Sequence, residues 1–304
     1  MTYGAVLIAG PTASGKSAAA LALAELLGGV VVNADSMQVY CELSVLTARP
    51  SAADEARVPH RLYGHVPAKD RYSAGRYLED AARVLEEARA MGRIPIFAGG
   101  TGLYFDALGN GLSPMPKIPA EIRAQVRESF DAMGREAFAA SLYARDPALA
   151  ATIRPSDTQR LLRAADILEA TGTPYSEWRN RKGVSVLAGL NVACFVIAPP
   201  REVLWERTAV RIDRMFESGG LDEAGGLMDL DPSLPAARAL GVPQALKHLK
   251  GEITLSEAIS ETKTATRQYV KRQMTWFRNR MRDWKWLEDD ISSNNITLLK
   301  ENCL

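Results

Sequence analysis

The chain has 304 residues and a formal net charge of +1, with the apolar and charged fractions of an ordinary globular protein. That length supports one large domain or two modest ones, and the near-zero charge means that any polyanion site is local. Cys41, Cys194 and Cys303 lack metal or disulfide spacing, the amino end resembles neither a signal peptide nor an anchor, and no apolar stretch approaches the ~18 residues of a membrane span, so a reducing cytoplasm is expected.

The first predicted element is a strand, Ala5 to Ala9. It is followed by Gly10-Pro11-Thr12-Ala13-Ser14-Gly15-Lys16-Ser17 and by an Ala-, Leu- and Glu-rich helix from Ala18 to Leu27. The octet fits the phosphate-loop pattern G-x-x-x-x-G-K-[ST] in the strand–loop–helix context it requires. Gly10 and Gly15 let backbone N–H groups approach phosphate oxygens, and the helix turns its positive end towards them. Lys16 adds a point charge, and the Ser17 hydroxyl is a ligand for Mg²⁺. The loop therefore grips a phosphate or diphosphate, without saying what is done with it.

Gly28-Gly29 closes that helix, and Val30-Val31-Val32 forms the second strand, ending in Asn33-Ala34-Asp35-Ser36. In a doubly wound sheet the carboxyl ends of the strands build the site, which sets Asp35 beside the phosphate loop. A carboxylate there takes a proton, holds a metal or caps the next helix, and position alone leaves these open. Residues 44–71 form a connecting region with Pro50, Pro59 and Pro67, whose His60 and His65 read as surface or packing residues. Tyr72 to Met91 is helical with Ser73 as its cap. The third strand, Ile94 to Ala98, ends in Gly99-Gly100-Thr101-Gly102. Most phosphate-loop nucleotidases end a later strand in Asp or Glu. Glycines and a hydroxyl here make room for something bulky beside the phosphates, which counts against a plain ATPase or GTPase.

Pro114, Pro116 and Pro119 mark a linker, and Ala120 to Arg181 reads as helical throughout. The expected division is an α/β core from 1–113 and 190–304 and an all-helical insertion from 114–189. Ser156-Asp157-Thr158-Gln159 has capping-box spacing and starts a helix whose first turns carry Gln159, Arg160 and Arg163. Gln159 and Arg163 share a face, either solvated or touching a polar polymer or base. Strand character returns at Val192 to Ala198. The next helix, Val203 to Glu217, carries Arg207, Arg211 and Arg214, whose planar forks suit phosphate oxygens or pair with Glu202 and Glu206. Ser218-Gly219-Gly220 and Gly225-Gly226 suggest a turn.

From Glu261 to Lys285 there are eight basic residues against Glu261 and Asp283. Val270, Met274, Phe277, Met281 and Trp284 form an apolar stripe that packs on the core. Lys263, Arg267, Lys271, Arg278, Arg282 and Lys285 fall on a neighbouring stripe of the same helix, either a solvated face or a track for a nucleic-acid backbone, and with so few acidic neighbours the track is the expectation. The tail Asp289 to Leu304 is polar and is expected to fray.

Several segments, in order, resemble the tRNA dimethylallyltransferase (isopentenyl-tRNA transferase) family. They are the Gly10–Ser17 octet with its Pro-Thr-Ala-Ser interior, Asn33-Ala34-Asp35-Ser36-Met37-Gln38-Val39-Tyr40, and Pro59-His60-Arg61-Leu62. Gly99-Gly100-Thr101-Gly102-Leu103-Tyr104, Asp157-Thr158-Gln159-Arg160-Leu161 and Thr266-Arg267-Gln268-Tyr269-Val270-Lys271-Arg272-Gln273-Met274-Thr275-Trp276 complete the set. The resemblance covers nearly the whole chain. One loop departs from it, with Gly241-Val242-Pro243-Gln244 in place of the usual Gly-Tyr-[RK]-Glu.

The resemblance implies a phosphate-loop NTPase-like parallel sheet flanked by helices, with an all-helical insertion. It also implies transfer of a dimethylallyl group from its diphosphate to the exocyclic N6 amine of the adenine 3′-adjacent to the anticodon. The octet with Thr12 and Lys16 would hold the diphosphate, Mg²⁺ would sit on Ser17, and Arg211 would serve the diphosphate side. Asp35 would act as general base on the adenine amine, flipped out of its stack. Ser36, Met37, Gln38, Thr101, Arg123, the run Gln159, Arg160, Leu161, Leu162 and Arg163, and Arg267 with Lys271 would contact the tRNA anticodon stem-loop. A cytoplasmic monomer is expected. The rival readings are a small-molecule kinase on the same loop, a prenyltransferase of free adenine nucleotides, and a non-catalytic nucleotide-gated RNA-binding protein.

Overall fold

The computed structural model describes residues 4–288. Strands β1 (Ala5–Ala9), β2 (Val30–Asn33), β3 (His60–Arg61), β4 (Pro95–Gly99), β5 (Val192–Ile197) and β6 (Lys285–Leu287) form one sheet. Their order is β3-β2-β4-β1-β5-β6, and every pairing is parallel. Parallel strands are covered on both faces, which is why these read as continuous apolar runs. The side-chain period of two then divides each strand between two cores. Ala5, Leu7, Val30, Val32, Phe97 and Val196 enter one core, while Val6, Ile8, Val31, Ile96, Ala98, Phe195 and Ile197 enter the other.

Helix α1 (Lys16–Leu27) covers the second core with Ala19, Ala20, Leu21, Leu23 and Ala24. It is followed by α2 (Ala52–Arg57), α3 (Ala74–Ala90) and α4 (Gly102–Asn110). The Ser73 hydroxyl accepts from Arg76 N at the start of α3, as expected for its cap, and Tyr77, Ala81, Val84 and Leu85 pack into the first core. Neither α2 nor the two-residue β3 was anticipated in the connecting region.

The chain divides into two compact units, residues 1–109 with 186–304 and residues 110–185. The boundaries expected at 114 and 189 thus fall at 110 and 185. The second unit holds α5 (Ala120–Met133), α6 (Arg135–Arg145), α7 (Thr158–Thr171) and α8 (Tyr175–Asn180), and no strand among the described residues. Its own core contains Val126, Phe138, Leu142, Leu149, Leu161 and Leu168. The cap of α7 is Asp157, whose carboxylate accepts from Arg160 N, and not Ser156 as the spacing suggested. Gln159 therefore sits at the second helical position, too early to close a capping box.

In the first unit, α9 (Arg201–Glu217), α10 (Gly220–Gly225), α11 (Val242–Leu249) and α12 (Leu255–Arg280) complete the fold. Thr254 and Glu257 form a reciprocal capping box at the start of α12. The helix ends at Arg280, so the continuous helix expected through Lys285 is not formed. Trp284 turns its ring edge-on to Phe105, and the Trp286 indole N–H donates to the Met281 carbonyl at 2.9 Å. These contacts reverse the chain, and Lys285–Leu287 pairs with β5 as the edge strand β6. Among the described residues, no helix is long and apolar enough to cross a membrane.

The ends of β1, β4 and β2 are stitched together beyond the strands. Gly10 N donates to Gly99 O, Ala34 N to Ala98 O, and Thr101 N to Ala34 O. A Cβ on Gly99 would lie 2.0 Å from Ala34 O, with backbone on both sides of the clash. Gly99→Ala should therefore lower the urea midpoint by more than 1 kcal/mol in equivalent stability, about the size of a lost hydrogen bond or more. Gly109→Ala, in open space within α4, should instead raise stability by about 0.5–1 kcal/mol.

Candidate active site

The loop after β1 is shaped by contacts that exclude side chains. A Cβ on Gly10 would meet Ser14 Oγ at 2.5 Å and Ile197 O at 2.6 Å. Ala13 and Gly15 adopt left-handed conformations with φ of 64° and 87°. Gly15 caps α1 without a side-chain acceptor, so the first-turn N–H groups of the helix are left for an incoming anion. Ser14 Oγ is buried with no hydrogen-bond partner among the described residues.

Two cations converge on this loop. Lys16 Nζ donates to Pro11 O at 3.2 Å. Burial pulls its pKa down to about 8, Asp35 opposes that shift, and Arg211 adds to it. Arg211 rises from α9, and its guanidinium donates to Thr12 Oγ1. Its pKa is also lowered, by burial first, with Asp35 again opposing. Arg211 Nε is buried without a hydrogen-bond partner among the described residues. The structure thus brings Asp35 and Arg211, 19 and 195 residues beyond Lys16 in sequence, to the loop residues Thr12, Ser14 and Lys16. Two largely buried cations against one carboxylate leave this loop with surplus positive charge, and Ser14 Oγ and Arg211 Nε are buried in it without hydrogen-bond partners among the described residues.

Asp35 does not cap a helix. Its N–H donates to Asn33 Oδ1 and its Oδ1 accepts from Met37 N at 2.9 Å, so it fixes a tight turn at the end of β2. The Asn33 amide in turn donates to Asp35 O and Leu62 O, which ties the turn to the chain after β3. Ser36 N donates to Thr101 Oγ1 at 2.9 Å, and the two hydroxyls lie 3.2 Å apart. The phenols of Tyr63, Tyr104 and Tyr269 are held protonated, by burial first and by the Asp35 charge second. Both Gln38 amide N–H groups are engaged, on Thr47 O and Ala48 O. Gln38 therefore shapes the loop, as does Glu223, whose carboxylate accepts from Ser44, Val45 and Leu46 N–H groups.

The glycines after β4 do not make room for a ligand. A Cβ on Gly100 would meet Gln273 Nε2 at 2.3 Å, and one on Gly102 would meet the Trp276 ring at 2.1 Å. What they admit is α12. Gln273 and Trp276 were not singled out from the sequence. The available signal was the apolar stripe itself, since Gln273 lies three residues after Val270 and four before Phe277, on the buried face.

The stripe of six cations is also reduced. Lys263 pairs with Asp213 of α9 at 2.6 Å, and Arg282 and Lys285 lie beyond the end of the helix. Arg267 sits 5.5 Å over the Trp205 ring and is exposed. Lys271 lines a shallow surface trough with Arg272, Thr275, Trp276, Asn279 and Arg280.

In the helical unit, Gln159 and Arg160 are exposed at the start of α7. Arg163 and Arg123 both act on Asp166, whose carboxyl is raised by burial and lowered by the two guanidiniums. Arg123 also donates to Ile118 O at 2.8 Å. Leu161 is fully buried in the unit's core and Leu162 packs against it. Leu161 therefore cannot present its side chain to RNA, because the helical period turns it inward between Gln159 and Arg163.

For a metal, no group of three or more His, Cys, Asp or Glu side chains converges among the described residues. Ser17 is exposed in the first turn of α1. A single hydroxyl fits a cation that takes its other ligands from phosphate oxygens and water, the habit of Mg²⁺.

The family model described as IPP transferase matches residues 38–280, and one described as isopentenyl transferase matches residues 3–65. The tRNA dimethylallyltransferase of Bradyrhizobium sp. (strain ORS 278) is 50% identical over 298 residues, 97% of each chain. Among solved structures, the tRNA isopentenylpyrophosphate transferase of Bacillus halodurans superposes with a TM-score of 0.70 at 32% identity, covering 97% of this chain and 94% of its own. A eukaryotic dimethylallyltransferase acting on tRNA gives 0.80 at 27% identity, covering 94% and 74%. With a phosphate loop, a strand-end carboxylate and an arginine from α9 in one place, and with this likeness along nearly its whole length, the chain belongs to the tRNA dimethylallyltransferase family.

Proposed function

We propose that this protein transfers a dimethylallyl group from dimethylallyl diphosphate to the exocyclic N6 amine of the adenine 3′-adjacent to the tRNA anticodon, in the cytoplasm and as a monomer. The observation that carries this reading is the pairing of a surplus-positive pocket at Lys16 and Arg211 with a single carboxylate, Asp35, at the next site-forming strand end. An allylic carbon–oxygen bond breaks, and its electron pair goes onto the diphosphate. The amine nitrogen bonds to the allylic carbon and gives up a proton to Asp35. Charge builds on the leaving group, so Lys16, Arg211, the Ser14 hydroxyl and the N–H groups starting α1 stabilise it most as the bond breaks. Aryl amines are weak nucleophiles, and proton removal during attack assists them. Ser17 would hold Mg²⁺, which supplies charge neutralisation to the diphosphate. On the acceptor side, Thr101 and Ser36 stand beside Asp35, while Arg267 and Lys271 offer phosphate contacts. Gln159, Arg160, Arg163 and Arg123 do the same from the helical unit.

The direct test is mass spectrometry of an anticodon stem-loop incubated with protein, Mg²⁺ and dimethylallyl diphosphate. One prenyl unit on the target adenine is expected. Prenylation of free adenine nucleotides alone, phosphate transfer from ATP to a small acceptor, or tight RNA binding with no added mass would each overturn the proposal. Asp35→Ala should lower turnover by about 10²–10⁴, the usual contribution of a general base, with tRNA affinity nearly unchanged. Arg267→Ala with Lys271→Ala should weaken tRNA binding and reduce the slope of log affinity against log salt by about 1–2.

The Lys16 pKa adds a pH dependence. A diphosphate favours the charged amine, so the binding advantage is complete below about 8 and is lost as pH rises through it. Dimethylallyl diphosphate should bind roughly tenfold more weakly one unit above that pKa than well below it. Calorimetry in two buffers near pH 8 should also detect proton uptake, and an affinity that is flat across this range would remove Lys16 as the titrating group.

A further inference from the structure

Gln273 lies on the buried face of α12, 6% exposed, and its amide makes two long-range contacts. Its Oε1 accepts from Thr12 N at 3.1 Å, and its Nε2 donates to Gly100 O at 2.8 Å. The first contact reaches the diphosphate side, because the Thr12 hydroxyl accepts the Arg211 guanidinium. The second reaches the acceptor side. Gly100 precedes Thr101, which holds Ser36, and a Cβ on Gly100 would lie 3.1 Å from Asp35 Oδ2. One planar amide thus spans the gap between the leaving-group pocket and the proton-accepting carboxylate.

We propose that Gln273 is a positioning residue that sets the register between the Thr12–Arg211 pair and the Asp35–Thr101 turn. This rests on the prenyl-transfer reading for its effect on turnover, though not for its effect on diphosphate binding. The residue type is dictated by the two partners. One is a buried N–H and the other a buried carbonyl, and an amide satisfies both at once. Glutamate keeps the acceptor but turns a lone pair on Gly100 O and adds negative charge beside the diphosphate. Methionine matches the shape and loses both bonds. Gly100 belongs to the same device, since a Cβ there would displace the amide.

The experiment compares Gln273→Met and Gln273→Glu with the unaltered full-length protein by four measurements. These are melting temperature, tRNA affinity, dimethylallyl diphosphate affinity by calorimetry, and kcat with KM on the anticodon stem-loop. Misplacing reacting groups by about 1 Å is worth about 10²-fold in rate. The expected result is a kcat at least tenfold lower in both variants, with diphosphate affinity reduced, more so for Gln273→Glu. Folded fraction and tRNA affinity should be held. Unchanged diphosphate affinity and kcat in Gln273→Met overturn the proposal. So does a loss that tracks melting temperature across all parameters, which marks a residue that only supports the fold. If the unaltered protein leaves the stem-loop unmodified, the prenyl-transfer reading fails, and the diphosphate affinities still decide the role of Gln273.

Discussion

The rest of the site depends on positive charge placed where water is scarce. Lys16 and Arg211 are both disfavoured as cations by burial, and Asp35 alone offsets them. For Lys16 the shift from 10.5 to about 8 corresponds to about 3 kcal/mol held against the charged form. In the free protein that deficit is present below about 8 and fades as the amine loses its proton towards the unfolded value. On the proposed reading, a bound diphosphate would reverse the balance by supplying an anion beside the two cations. Orphaned Ser14 Oγ and Arg211 Nε belong to the same account, as buried polar atoms left unpaired are costly unless a ligand completes them. The protein is thus built to be less comfortable empty than filled.

That charge is useful only if the carboxylate is held at a fixed remove from it, and the sheet provides the ruler. β4 lies between β1 and β2, so the phosphate loop and Asp35 leave strands two spacings apart, roughly 10 Å. The hydrogen bonds among Gly10, Gly99, Ala34, Ala98 and Thr101 carry the ladder past the strand ends into the loops. Backbone bonds of this kind leave no room for a Cβ at Gly99, and the glycines that follow admit Gln273 and Trp276 from α12. A loop-borne site acquires the precision of a strand-borne one because the loops remain part of the sheet.

Much of this was legible in the sequence. The octet announces itself by spacing, and a doubly wound sheet sends Asp35 to the same edge by topology alone. Arg211 lay on a helix with Arg207 and Arg214, and composition could not rank them; the family resemblance pointed to Arg211, and its contact with Thr12 gives the physical reason. Local pattern failed where structure is short or decided at long range. β3 and β6 have two and three residues, too few for a period to be visible. The helix expected to run to Lys285 carried a continuous apolar stripe, but it stops at Arg280, where Trp284 packs on Phe105 and the Trp286 indole N–H donates to the Met281 carbonyl, contacts made at long range or across a turn that periodicity does not show. Of the six-cation stripe, Lys263, Arg267, Lys271 and Arg278 lie on the helix while Arg282 and Lys285 fall past its end, and Asp213, fifty residues earlier, neutralises Lys263. Gln273 was hidden for a related reason. A polar residue on an apolar face has meaning only when its distant partners, Thr12 and Gly100, are known.

Helix α12 then acquires a double character that neither its composition nor its core contacts reveal alone. At 26 residues it is about 39 Å long, and its buried face includes Thr262, Thr266 and Gln273 among the apolar anchors. The Thr262 and Thr266 hydroxyls bond back to the carbonyls one turn earlier, so they satisfy themselves and ask nothing of the rest of the fold. Gln273 does the opposite and sends both of its side-chain hydrogen bonds across the molecule. On the exposed side, Lys271 and Arg267 stand about half a turn and a little under two turns before it, with Lys263 already paired. On the proposed reading, a helix that met the tRNA backbone on one face while Gln273 holds the Thr12 loop on the other would make acceptor and leaving group share a single frame. Near-zero net charge is the counterpart of this arrangement, because a field confined to one helix orients a partner that a uniformly basic surface would merely attract.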